Sequence, residues 1–351
     1  MRKTSPYRSP VFVLCAGALI ALAALAAARV SPSVPPQPAP AYKQGPGPYR
    51  VEVRLFDWND AKRGRSVPVK IYYPADAKAP APLIVLSHGL GGSREGYEYL
   101  GRHWAGHGYI SLHIQHIGSD DAVWRGQQRP MPAMRKAAAD PLNAVNRARD
   151  VRFVIDEMER LNAGPGEFAG RVDLARVGIA GHSFGANTTL VASGQLFILP
   201  GGKEMGFADP RIKAAIAMSA PVPRDKSTLD RAFGKIAVPC LHMTGTLDDS
   251  PIGETGAADR RLPFDHISGP DQYLVIFEGG DHMIFSGRGR GTAAAGRAEK
   301  DALFQDLIRQ SSTAFWDAYL RGDGAAKSWL AGGGFESVLG ASGRFEKKLK
   351  D

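Results

Sequence analysis

The stretch "RVGIAGHSFGANTTLVASG", residues 176–194, constrains the fold more than any other part of the chain. The apolar run ending at Ala180 reads as a strand buried on both faces. A helical pattern begins at Phe184, and only "GHSFG" marks the passage from one to the other. A strand that enters a helix through so short a turn brings two backbones together, and Gly181 and Gly185 remove the Cβ atoms that would collide there. The turn has the G-x-S-x-G pattern of a serine nucleophile elbow, which lifts Ser183 Oγ above the end of a sheet and aims the Phe184 N–H at the same point. With 41 glycines in 351 residues the pentapeptide alone could arise by chance, and a buried turn serine is the plain alternative. The surrounding sequence decides between them.

From Tyr49 onward strands alternate with helices. "YRVEVRLFD" alternates in polarity and reads as a half-buried strand, with "SVPVKIYYP" as its antiparallel neighbour. "PLIVLSHG", "YISLHIQ", "RVGIAGH", "RIKAAIAMSA", "VPCLHMTG" and "DQYLVIFEG" read as further strands, most of them continuously apolar. Between them lie a helix carrying Tyr97, Leu100 and Trp104 and another over 141–161 with Val151, Val154, Ile155, Met158 and Leu161 on one face. A long helix from about Ala302 to Leu320 closes the pattern. This rhythm predicts one α/β domain over 49–351, with a mainly parallel sheet of about eight strands and helices on both faces. Ligands of such sheets sit beyond the carboxyl ends of the strands. The Gly/Arg/Ala stretch from Ser286 to Arg297 reads as a surface loop.

A serine hydroxyl is a weak nucleophile and needs a base. "IFEGGDHMIF" supplies His282 just past a buried strand, and "LHMTGTLDDSPIG" supplies Asp248 and Asp249 just past another. A carboxylate there would hold the histidine in one tautomer and stabilise its protonated form. Asp249 remains the alternative acid and Asp281 the next. The chain order Ser, Asp, His is the one found with nucleophile elbows of this kind. An oxyanion hole needs a second N–H beside that of Phe184. "SHGLGGS", residues 87–93, follows the predicted third strand, and Leu90 N–H is the candidate donor, with Gly89 as the alternative.

Together "LSHGLGG", "GHSFGAN", "GTLDDSP" and "GGDHM" resemble the serine-dependent α/β-hydrolases of esterase type. The "SHGLG" and "GHSFG" pair is similar to that of platelet-activating-factor acetylhydrolases. The layout is also similar to cutinase-like polyester hydrolases and predicted dienelactone hydrolases. The resemblance covers roughly residues 50–330. It implies an α/β-hydrolase fold and cleavage of carboxylic esters without cofactor or metal. In it Ser183 is the nucleophile, His282 the base and Asp248 the orienting acid, the last because the acid follows the strand-ending Gly245 by three residues. Dienelactone hydrolases use a cysteine where this chain has Ser183, which argues against lactone chemistry. No long insertion separates "MSAPV" from "VPCLHM", so no large cap is expected there, and the open cleft suits small or polymeric esters. The same three side chains would serve a peptidase or amidase, and a non-catalytic binding protein on a hydrolase scaffold is the alternative from another class.

Residues 1–28 read as an export signal, with Arg2, Lys3 and Arg8 ahead of the apolar run from Val11 to Ala28. The mature chain would then be secreted or periplasmic, while a retained run would anchor it to a membrane. The proline-rich residues 29–48 read as an extended linker. Cys15 lies in the signal segment, so only Cys240 would remain after cleavage. The net charge of +9 is a mild basic excess with no dense cationic run, so no nucleic-acid partner is expected. His182, beside the nucleophile, and Trp124, in the loop after "HIQH", are candidates for shaping the substrate pocket. His103, His107, His113 and His116 do not suggest a metal site, because His113 and His116 would point to opposite faces of a strand.

Overall fold

Strands β1 (Val51–Asp60) and β2 (Arg65–Pro74) form an antiparallel hairpin, with Val51 opposite Pro74 and Asp60 opposite Arg65. The chain then alternates: β3 (Ala81–Ser87), α1 (Glu98–Gly106), β4 (Ile110–Ile114), α2 (Pro130–Ala139), α3 (Pro141–Ala163), β5 (Val172–His182) and α4 (Phe184–Ser193). A short ribbon of β6 (Leu196–Ile198) and β7 (Glu204–Gly206) follows, then β8 (Ile212–Met218), α5 (Leu229–Phe233), β9 (Cys240–Leu247), α6 (Leu262–His266) and β10 (Gln272–Asp281). The chain finishes with α7 (Ala295–Leu320), α8 (Gly324–Ala331), α9 (Gly334–Leu339) and β11 (Gly343–Lys348). This computed structural model describes residues 40–287 and 295–350. The expected signal segment 1–28, the first part of the expected linker and the middle of the Gly/Arg/Ala stretch lie outside them.

One sheet of nine strands runs in the order β1-β2-β4-β3-β5-β8-β9-β10-β11. It is parallel from β4 to β10 and antiparallel at both margins. The sequence had suggested about eight strands; the additional one is β11, whose "GRFEKK" is too polar to read as a strand and pairs with β10 at the sheet edge. The last helix of the expected pattern begins at Ala295, ahead of the expected Ala302.

All seven residues of β3 are buried. Leu83 and Val85 face α3 and α4, while Ile84 and Leu86 face α1 and α7, in two separate apolar clusters. A parallel strand covered on both faces is apolar over most of its length. Burying each of these side chains contributes about 1.5–3 kcal/mol. On one side Val151, Val154, Ile155 and Met158 of α3 form the covering stripe; on the other Leu100 and Trp104 of α1 meet Phe315 and Trp316 of α7.

Residues 40–48, the end of the expected linker, lie against the domain. Tyr42 hydroxyl and Lys43 Nζ both reach the buried Asp317 carboxylate, at 2.9 and 2.6 Å. The Tyr49 N–H donates to the Gly106 carbonyl at 3.1 Å.

Register places the carboxyl ends of the central strands together. Ser87 stands opposite Gly181, Gly181 opposite Ala217, and Met218 opposite Met243. The residues that follow these strands therefore emerge along one edge. Between β8 and β9 only short helical turns and α5 intervene, and among the described residues there is no cap over that edge. The arrangement is an α/β-hydrolase fold.

Candidate active site

Ser183 is the first residue past β5, Asp248 the first past β9 and His282 the first past β10. Their side chains form a hydrogen-bonded row. His282 Nε2 lies 3.0 Å from Ser183 Oγ, and His282 Nδ1 lies 2.8 Å from Asp248 Oδ1. Asp248 is fully buried and His282 nearly so. Asp249, the alternative acid, is exposed and accepts the Ala257 N–H at 2.9 Å. Asp281 accepts the Met283 N–H at 2.9 Å in the turn that carries His282.

The backbone at Ser183 has φ 56° and ψ −120°, a conformation that costs a non-glycine residue about 1–3 kcal/mol. The glycines make it possible. A Cβ on Gly181 would lie 2.2 Å from the Gly185 carbonyl oxygen, and one on Gly185 would lie 1.9 Å from that of Ser87. Strand, elbow and helix thus cross closer than any side chain permits.

Three residues that the sequence reading passed over complete the acid end. Thr244 Oγ1 donates to Asp248 Oδ2 at 2.8 Å. Ser219 Oγ donates to Asp248 Oδ1 at 2.8 Å and stands 2.8 Å from His282 Nδ1. Arg260, also buried, donates from Nε to the Asp248 carbonyl at 3.1 Å and from Nη1 to the Ser219 carbonyl at 2.8 Å. The Asp248 carboxylate is therefore desolvated but fully hydrogen-bonded, the condition under which a buried charge is tolerated. Ser219 had a sequence signal: it is the first residue past β8, the strand beside β5, at the same sheet edge. Arg260 lies on a short helical segment and had none.

The loop after β3 holds the candidate oxyanion donors. Gly89 N–H donates to Tyr97 hydroxyl at 3.2 Å, Gly91 N–H to the Ser119 carbonyl at 2.9 Å and Gly92 N–H to the Gly89 carbonyl at 3.0 Å. Gly89, the alternative donor, is thus engaged. Leu90 N–H and Phe184 N–H have no hydrogen-bond partner among the described residues, and both residues border the cavity in front of Ser183. A Cβ on Gly89 would lie 3.4 Å from Ser183 Cβ, which measures how near the loop comes to the serine.

That cavity encloses about 660 Å³ and is also bordered by Arg135, Asn187, Val222 and Ile252. A second cavity of about 870 Å³ shares Asn187 and Val222 with it and is walled by Leu196, Phe197 and Met205 of the ribbon.

Trp124 and His182 are not among the residues that border the Ser183 cavity. Trp124 Nε1 donates to the Gly91 carbonyl at 2.7 Å and braces the loop from behind. His182 is the last residue of β5 and is buried beneath the elbow. Burial pushes its pKa well below the ordinary range, so it is neutral. Its Nε2 reaches the His282 carbonyl at 2.9 Å and must carry the proton, which leaves Nδ1 to accept from Tyr97 hydroxyl at 2.9 Å.

Most of the remaining histidines are buried. His113 and His116 face opposite sides of the sheet: His113 meets Ser111 and the Gly96 carbonyl, His116 meets Ser87 and Asp150. Cys240 is buried at the start of β9, and burial pushes its thiol up to about 12.

The fold is that of the α/β-hydrolases, and a serine, a histidine and a buried aspartate in a hydrogen-bonded row are the arrangement that serine-dependent hydrolases of this fold use. Two comparisons point within it. Residues 64–138 match the model of the family platelet-activating factor acetylhydrolase, isoform II. That segment carries the Leu90 loop and ends before Ser183. The chain is also similar to platelet-activating factor acetylhydrolase of Cavia porcellus, with 24% identity over 299 residues, 75% of this chain. The match spans 63% of that relative, less than two thirds of its length.

Proposed function

We propose that the protein is a serine hydrolase of carboxylic esters. The observation that carries this reading is the position of His282, within hydrogen-bond reach of Ser183 through Nε2 and of Asp248 through Nδ1. In the proposed reaction Ser183 Oγ attacks the acyl carbon while its proton passes to His282 Nε2. The Leu90 and Phe184 N–H groups receive the negative charge that forms on the carbonyl oxygen. His282 then returns the proton to the leaving alcohol. Water, deprotonated by His282, attacks the acyl-enzyme; the acyl–Oγ bond breaks, His282 returns the proton to Ser183 Oγ, and the acid is released. Asp248 holds the Nδ1–H tautomer and stabilises the imidazolium, with Ser219 and Thr244 fixing its carboxylate and Arg260 its main-chain carbonyl.

The relative's name, an acetylhydrolase, makes an acetyl ester the first substrate class to try. The open cavity and the apolar second cavity beside it support esters with a sizeable apolar part. A panel of p-nitrophenyl esters of increasing acyl length, an anilide and a polyester film tests the reading. Ester turnover together with labelling of Ser183 by a fluorophosphonate supports it. Turnover of the anilide in preference to the esters replaces it with a peptidase or amidase, and neither turnover nor labelling leaves a binding protein.

Export is part of the same proposal, on the strength of the signal pattern in residues 1–28. Intact-mass analysis should place the mature N-terminus near Arg29. Full-length protein in the membrane fraction would mean a retained anchor.

A further inference from the structure

Arg147, on α3, is fully buried beneath the serine elbow. Its Nε donates to Thr188 Oγ1 at 2.9 Å, its Nη1 to Ser119 Oγ at 2.9 Å, and its Nη2 to Ser87 Oγ at 3.0 Å and to the His88 carbonyl. The guanidinium also lies against the Phe184 ring, 4.6 Å from its centroid. One side chain thus joins the end of β3, the loop that carries Leu90, the loop at Ser119 and the first turn of α4. Thr188 Oγ1 in turn donates to the Phe184 carbonyl at 3.0 Å.

These contacts bear on both candidate oxyanion donors. The peptide between Gly89 and Leu90 is fixed by its carbonyl, which accepts from His88 Nδ1 at 2.6 Å and from the Gly92 N–H at 3.0 Å. A trans peptide is planar, so the Leu90 N–H points the opposite way. Arg147 holds this loop from below through the His88 carbonyl and, through Ser119, the residue that accepts the Gly91 N–H. On the other donor it supports the Phe184 ring directly.

The acceptors of Arg147 are hydroxyls and a carbonyl, all neutral. Asp150, one turn along α3, is engaged by His116, Arg63 and Arg65. Burial pushes the Arg147 pKa down to about 9, which leaves it charged at neutral pH. A buried cation that is hydrogen-bonded but not directly paired costs several kcal/mol of desolvation. Its charge lies behind the Leu90 loop and the Phe184 ring, and an oxyanion held by donors in a water-poor site is stabilised by such fixed charge.

We propose that Arg147 is a positioning residue of the oxyanion hole: it locks the Leu90 loop to the Phe184 turn and sets a buried positive charge behind both donors. The proposal rests on the serine-esterase reading.

Arg147→Met and Arg147→Lys test it in the full chain. kcat and KM are measured on p-nitrophenyl acetate, and Ki for a trifluoromethyl ketone. Ser183 Oγ adds to the ketone carbon, the carbonyl π pair becomes an oxyanion, and the hydroxyl proton passes to His282 Nε2, so Ki reports on the hole. For Arg147→Met the expectation is a fall in kcat of about 10- to 100-fold, below the roughly 10²–10³-fold cost of deleting a donor. KM should stay within about threefold, and Ki should rise in proportion to the loss in kcat/KM. Arg147→Lys, which keeps the charge but loses the fork, should fall between.

A folded Arg147→Met enzyme with near-native kcat overturns the proposal, as does a loss of kcat with Ki unchanged. If Arg147→Met does not fold, Ser119→Ala and Thr188→Val each remove one guanidinium acceptor, and Ki should still rise a few-fold in both; unchanged Ki in both overturns it. A wild-type protein that neither hydrolyses esters nor binds the ketone overturns the esterase reading and this inference with it.

Discussion

Asp248 and Asp249 are neighbours in sequence but occupy opposite environments. The Asp248 carboxylate is buried 2.8 Å from His282 Nδ1, while that of Asp249 faces solvent and accepts the Ala257 N–H. A single step along the chain past β9 turns the side chain from the site to the surface.

The two aspartates should therefore separate catalysis from stability. Asp248→Asn should lower kcat by about 10⁴, because an amide no longer fixes the tautomer of His282. Asp249→Asn should largely spare kcat and cost about 1 kcal/mol through the weakened turn. Turnover and melting temperature of the two variants, measured side by side, check this; the reverse pattern would falsify the choice of acid.

Ser183→Ala should keep the fold and remove ester turnover apart from a residue of a few orders of magnitude over water. Relief of the left-handed backbone is no obstacle, since alanine at that φ is no worse than serine. A purified variant with near-native rate would rule out Ser183 as nucleophile.

Gly185→Ala should fail for a different reason. The added methyl would stand 1.9 Å from the Ser87 carbonyl oxygen and 2.8 Å from that of His88, both main-chain atoms that no rotamer change can move. Overpacking of this kind costs about 1–3 kcal/mol or more. The displacement would also part the Leu90 loop from the elbow. Both melting temperature and kcat should fall, whereas Ser183→Ala should change kcat alone.

The parts of this architecture that the sequence announces are those set by local pattern. Near-continuous apolar runs marked β3, β5, β8, β9 and β10, because a parallel strand covered on both faces is apolar over most of its length. Ser183, Asp248 and His282 were visible because each follows such a run directly. The ribbon β6–β7 and the edge strand β11 were not, since "LFI", "EMG" and "GRFEKK" carry no period long or apolar enough to read. Tyr97 looked like a helix-face residue but precedes α1 with φ 62° and turns its hydroxyl to His182. Arg147 and Asp150 interrupt the apolar stripe of α3 as charged residues, which on an isolated helix mark the solvent side. They are buried because partners from β2, the β3 loop and α4 meet them there. Such partners come from distant parts of the chain and leave no trace in local spacing.

Acid should destabilise the fold before any carboxylate is protonated. Burial holds His103, His113 and His116 at about 3 and His242 at about 4, against 6.5 for the exposed group. Between those values the unfolded chain binds protons that the native state refuses. The stabilisation is therefore full above about pH 6.5 and is lost progressively as pH falls toward 3. Each histidine contributes a slope of up to about 1.4 kcal/mol per pH unit. The melting temperature should be level from pH 8 to 6.5 and fall steadily below. His103→Leu should make the fall shallower, because it removes one such group, and one whose buried Nε2 has no hydrogen-bond partner among the described residues. A melting temperature flat to pH 4.5 would contradict this.

Tyr97 and His182 form a directed chain that ties the two sides of the candidate site together. The Gly89 N–H donates to Tyr97 hydroxyl, the hydroxyl donates to His182 Nδ1, and His182 Nε2–H donates to the His282 carbonyl. Every proton in the chain has one place to be, because a neutral imidazole has a single N–H and the carbonyl can only accept. Tyr97→Phe deletes the central hydroxyl and leaves the Gly89 N–H and His182 Nδ1 without it in the interior. The cost should be about 1–3 kcal/mol, read as a lower melting temperature. The site should suffer less than from loss of Asp248, since Ser183, His282 and Asp248 keep their own contacts. The expected loss in kcat is about 3- to 30-fold with KM little changed, the signature of a looser arrangement and not of a missing group. His182→Phe, which removes the donor to the His282 carbonyl as well, should cost more in kcat than Tyr97→Phe. Equal kcat in both variants and the wild type would mean that the chain supports the fold without bearing on the position of His282.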